Sequence, residues 1–127
     1  MPDLLLPATL ASVSLAGEHA EATARDAGWS SDDVDRLVLA TTEAVGNAVE
    51  HGPGQPIRLR IFGGPAELTV EVEDGGEGPR PDRLDAPSLP RDDATEGRGL
   101  FILRALADTA RIHGGTLTLT FRPRGEA

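Results

Sequence analysis

The chain has 127 residues, 39% of them hydrophobic, with 21 acidic against 12 basic side chains and a net charge of −9. That length and apolar fraction fit one domain over residues 1–127 with a buried core, and the acidic balance speaks against a nucleic-acid partner. Cys is absent, no apolar run nears membrane-spanning length and residues 1–6 lack the basic start of a signal peptide, so the expectation is a cytoplasmic protein without disulfides or a membrane partner.

In chain order, Leu4 to Leu6 predict a short strand stopped at Pro7. An Ala- and Glu-rich helix is expected from Ser12 to Ala27, weakened by Gly17 at about 1 kcal/mol and ended at Gly28-Trp29. Ser30-Ser31-Asp32-Asp33 is a helix start, with a cap residue and acids in the first turn. Val34, Leu37, Val38, Thr41, Val45, Ala48 and Val49 then recur at helical spacing until Gly52-Pro53. Ile57, Leu59 and Ile61 alternate with arginines, and Leu68, Val70 and Val72 alternate with Thr and Glu, the pattern of an antiparallel hairpin. From Gly75 to Gly97 nothing is periodic, which reads as a long loop of the kind that forms lids or binding segments. Leu100, Leu103, Leu106, Ala107 and Ala110 restart a helix, and a last hairpin turns at Gly114-Gly115 into Leu117, Leu119 and Phe121. This order predicts an α+β fold: a two-layer sandwich with a mixed, mainly antiparallel sheet and the helices on one face.

Three short motifs carry the chemistry. Glu43 and Asn47 stand one helical turn apart, roughly opposite the apolar stripe. An arbitrary pair of this kind is a solvated one; the functional alternative has the Asn47 amide oxygen on a hard cation and Glu43 accepting a proton. His51, a turn further on, suits a helix C-terminus. Asp74 follows a strand and leads into Gly75-Gly76-Glu77-Gly78, which is either an ordinary turn or a carboxylate aimed at an exocyclic amine, with glycines that let a ring approach the backbone. Gly97-Arg98-Gly99 precedes an apolar helix, where free amides and the helix dipole suit an anion. Arg91 and Arg98 are possible phosphate partners or solvated surface charges. The chain contains no lysine. That removes the Walker loop, the strand lysine of eukaryotic-type kinases and Schiff-base chemistry, so a bound polyphosphate must be met by backbone amides, Mg²⁺ or Arg.

Taken in order, these motifs resemble the N, G1 and G2 boxes of the GHKL (Bergerat-fold) ATPase superfamily, and the compact chain is similar to its anti-sigma-factor serine/threonine kinase branch. The resemblance is carried by Thr41-Thr-Glu43-Ala-Val-Gly-Asn47-Ala-Val-Glu-His51-Gly, Val72-Glu-Asp74-Gly-Gly76-Glu-Gly78-Pro79, Gly97-Arg-Gly99-Leu100-Phe-Ile-Leu and Gly115-Thr116. It implies ATP and Mg²⁺ as cofactors, with Asn47 as the metal ligand and Glu43 as the catalytic base. Asp74 and Thr116 would read adenine and Gly76 and Gly78 line the nucleotide. Gly97, Gly99 and Leu100 would cradle phosphates under a lid of residues 79–96. It also implies a homodimer, an anti-anti-sigma (STAS-type) partner and a sigma factor. Where that branch usually carries an Arg-rich first helix, this chain reads Ala16-Gly-Glu-His-Ala-Glu21. Three readings stand open: a kinase for a partner's Ser or Thr, a non-catalytic ATP-binding switch, and a free-standing relative of histidine-kinase catalytic domains.

Overall fold

The alternating segments of the sequence become strands of one sheet in the computed structural model, which describes residues 3–75 and 95–125. The elements are β1 (Leu4–Leu6), α1 (Leu10–Asp26), α2 (Ser31–His51), β2 (Ile57–Gly63), β3 (Leu68–Glu73), α3 (Thr95–Leu106), β4 (Thr109–His113) and β5 (Thr116–Phe121). The five strands lie in the order β1-β2-β3-β5-β4, and every pairing among the described residues is antiparallel. A mixed sheet was allowed for by the sequence; the described strands contain no parallel pair.

Register explains how alternation becomes a core. Leu59 stands opposite Val72 and Val72 opposite Leu117; Ile61, Val70 and Leu119 form the next row. All six are buried, because residues facing each other across antiparallel strands share a side. Val34, Leu37 and Val45 of α2, with Leu103 of α3, join the same core cluster. The opposite face carries Arg58, Arg60, Glu71, Glu73 and Thr116, which line a shallow depression. The result is an α+β sandwich with one charged sheet face.

Gly17, which propensity alone counts against α1, has a packing reason. A Cβ there would stand 3.0 Å from Thr42 Cγ2, so glycine lets α1 press against α2 beside the small residues Ala16, Ala20 and Ala24. The helix ends in a Schellman motif: Trp29 N donates to Ala24 O, Gly28 N to Arg25 O, and Gly28 adopts φ 81°. Ser30 then caps α2 by accepting from Asp33 N at 3.3 Å.

A second polar structure binds the chain beyond β5 to the start of α2. Asp33, buried at 2% exposure, accepts from the amides of Arg124 and Gly125 at 2.8–3.0 Å. Arg36 donates to Arg122 O at 2.6 Å, lies 3.5 Å from Asp108 and sits over the Phe121 ring.

The structure departs from the sequence reading after Leu106. Ala110, expected in the helix, belongs to β4. Asp108 is held at the crossing, its amide donating to Thr120 O and its carboxylate accepting from Arg122 N. The chain beyond it pairs with the otherwise open edge of β5. A backbone edge that needs hydrogen bonds overrides an alanine's helical preference. The expected loop falls largely on residues 76–94, which lie outside the described residues.

Candidate nucleotide-binding site

The site is assembled around the C-terminal half of α2. Glu43 and Asn47 are both half-buried, so they flank the apolar stripe instead of opposing it, the placement expected from helical spacing alone. The reason is that α2 has neighbours on more than one side. Gly17 of α1 faces Val38 and Thr42, α3 also packs against α2, and β2 and β3 run beneath it. Asn47 Nδ2 is buried without a hydrogen-bond partner. Such a donor costs about 1–3 kcal/mol, a cost that stability alone does not explain.

Asp74 follows β3 and is 9% exposed. Alternation sends Val72 into the core, Glu73 to the charged face and Asp74 back to the helix side. Its amide donates to Gly115 O at 3.2 Å. The end of α2 reaches it directly, since a Cβ on Gly52 would lie 3.5 Å from Asp74 Cβ. Gly75 takes φ 82°, a left-handed turn that favours glycine, and packs against Gln55. The first two motifs, about thirty residues apart in sequence, are therefore neighbours.

Thr116 joins them only through its backbone. It pairs with Glu73, and its hydroxyl donates to Glu73 Oε2 at 3.4 Å on the charged face. Gly115, not Thr116, stands beside Asp74. The third motif also differs from its expected form: α3 begins at Thr95, two residues before Gly97 rather than after Gly99. Gly97 remains in the first turn, where amides lack intrahelical partners. The amides of Gly99 and Leu100 fall at positions that point back to the carbonyls of Thr95 and Glu96. Gly76, Gly78, Arg91 and the lid up to residue 94 lie outside the described residues. The sequence reading took Gly52 as a helix stop and as the last residue of the first motif, without a packing role, and it passed over Gln55.

Among the described residues no cluster of three or more His, Cys, Asp or Glu could hold a metal by itself. The donor set fits a different kind of ion site. Mg²⁺ keeps waters and is commonly held by one or two protein oxygens together with substrate phosphates; the Asn47 amide oxygen offers one such ligand.

The model of the histidine kinase-like ATPase domain matches residues 6–122, which spans all three motifs. The chain belongs to this family. The sensor-type histidine kinase PrrB of Mycobacterium leprae is 35% identical over 95 residues, and its counterpart in Mycobacterium tuberculosis is 33% identical. Each alignment covers 72% of this chain and 21% of the relative, so the ATPase domain spans about a fifth of the curated relatives it matches. A crystal structure of the RsbU and RsbW domains of Rv1364c from Mycobacterium tuberculosis superposes with a TM-score of 0.69 at 26% identity, covering 97% of this chain and 33% of that one. The motifs and this likeness set the ATPase domain on the anti-sigma-kinase-like branch of the GHKL superfamily, as an ATP-binding domain of regulatory type. Among the described residues no helix is long and apolar enough to cross a membrane.

Proposed function

We propose that this domain is a Mg²⁺-ATP-dependent serine/threonine kinase acting on an anti-anti-sigma (STAS-type) partner, as a homodimer that also engages a sigma factor. The observation that carries this reading is the α2 pair: Glu43 one turn from an Asn47 amide whose nitrogen is buried and unpaired. Asp74 accepts a hydrogen bond from the adenine amine, and Gly76 and Gly78 border the nucleotide. The Gly97 amide meets phosphate. Base recognition rests on Asp74 rather than on Thr116, whose hydroxyl is turned to Glu73.

The bound ion supplies neutralisation of the polyphosphate charge. In the transfer, the partner's hydroxyl oxygen forms a bond to the γ-phosphorus as the bond to the β-phosphate oxygen breaks and ADP leaves. Glu43 takes the hydroxyl proton. Positioning and charge stabilisation dominate such a reaction, which suits a site with no lysine.

Glu43→Ala tests the assignment. It is expected to bind Mg²⁺-ATP within about threefold of wild type while label transfer to a serine-bearing partner falls at least about a hundredfold. Equal transfer rates would remove Glu43 from the chemistry. A second reading is a non-catalytic ATP switch on a regulator. It is favoured by α1, whose surface carries exposed Glu18 and Glu21 and where Arg25 is paired to Glu21 at 3.0 Å. It is the better description if ATP changes partner affinity while wild-type protein transfers no label.

A further inference from the structure

We propose that Gly52 is a positioning residue of the nucleotide site, locking the α2 end that follows Asn47 against the Asp74 turn; the proposal rests on the nucleotide-site reading above. Gly52 has ordinary extended angles, φ −79° and ψ 177°, so glycine is not required by backbone strain. It is required by space. A Cβ at this position would stand 2.4 Å from Ala48 O, the carbonyl that accepts the Gly52 amide at 3.0 Å, and 3.5 Å from Asp74 Cβ. A backbone oxygen is not a flexible neighbour, so any side chain must open this helix cap or displace it from Asp74.

The same contact is made from the other side. Gly75, next to Asp74, takes φ 82°, and a Cβ there would lie 3.1 Å from Gln55 Cβ. Two glycines thus interlock the segment after α2 with the turn after β3, and Asp74 is tied to the turn before β5 through Gly115 O. Asn47 precedes Gly52 by five residues, about 7.5 Å along a helix. A shift at this junction therefore changes the separation between the Asn47 amide and the Asp74 carboxylate, the two anchors of one ligand. Gly54 provides a control: it takes φ 83°, but a Cβ there would meet nothing within 4 Å.

The test compares wild type, Gly52→Ala and Gly54→Ala by amide hydrogen exchange and by calorimetric titration with Mg²⁺-ADP. Gly52→Ala is expected to speed exchange of the Asp74 amide at least about tenfold and to weaken ADP binding about tenfold or more. Gly54→Ala should lower thermal stability and change neither quantity more than about twofold. A folded Gly52→Ala protein with wild-type Asp74 exchange, or with wild-type ADP affinity, overturns the proposal. Should that variant not fold, wild-type exchange across a urea series decides: the Gly52 and Asp74 amides must open as one unit, and independent openings overturn the lock. A wild-type protein that binds no ADP defeats the ATP-binding reading, while the exchange arms still judge the lock.

Discussion

In the proposed site Asp74 and Asn47 are the two nucleotide anchors, and Asp74 is held by its surroundings before any ligand arrives. Asp74 is nearly buried, its amide bonded to Gly115 O and its Cβ facing Gly52. Asp74→Asn keeps the shape but turns an acceptor toward a donor, so it should weaken ADP binding about tenfold or more by losing a charge-assisted bond. Its melting temperature should stay within a few degrees of wild type; calorimetry and thermal unfolding together check this. Thr116 marks the boundary of what a motif can say. Its place beside the Gly of the final strand is legible in the sequence, yet the direction of its hydroxyl depends on β3–β5 register, a contact between residues more than forty positions apart.

At the scale of elements, α2 is fixed at both ends: Gly52 docks its C-terminus on the Asp74 turn, and Asp33 with Arg36 grips the chain after β5 at its N-terminus. The second clamp was invisible in the sequence, where Asp33 reads only as a first-turn acid. Its partners are the backbone of Arg122, Arg124 and Gly125 and the carboxylate of Asp108, none of them local. Asp33→Asn removes a buried charge that balances Arg36, and breaking such a pair costs about 3 kcal/mol. The urea midpoint is expected to fall accordingly, with loss of protection at the Arg124 and Gly125 amides. An unchanged midpoint would show that the tail is not clamped. The helix over Ser31–His51 and the β2–β3 hairpin were by contrast legible residue by residue, because strong periodicity and a Ser cap are local signals.

For the whole molecule, two groups tie stability to pH in the same direction. Burial holds the His19 imidazole below its usual value of 6.5, and its Nε2 is buried without a partner. The fold favours the neutral ring, so that contribution is complete above about pH 6.5 and declines as the solution is acidified through that point. For Asp33, burial pushes the carboxyl up, but the amides of Arg124 and Gly125, the Ser30 hydroxyl and the Arg36 charge outweigh it and hold it below 3.8. Its contribution is present above that value and is lost on further acidification. Urea midpoints measured across pH 3–8 should therefore fall in two stages, and His19→Gln should abolish the upper stage alone. A midpoint flat between pH 5 and 7 in wild type would exclude the His19 part.

Sequence by itself determined the element types, the alternation that makes one sheet face apolar, the absence of any lysine and the order of three motifs, since all of these are written in local spacing and composition. Tertiary structure decided the rest. It half-buried Glu43 and Asn47 by packing α1, α3 and the sheet around α2. It brought Gly52 to Asp74, turned Thr116 toward Glu73 and drew Ala110 into an edge strand. Each of these outcomes depends on which distant surface fills the space beside a residue, and periodicity along the chain reports a residue's face without naming its neighbour.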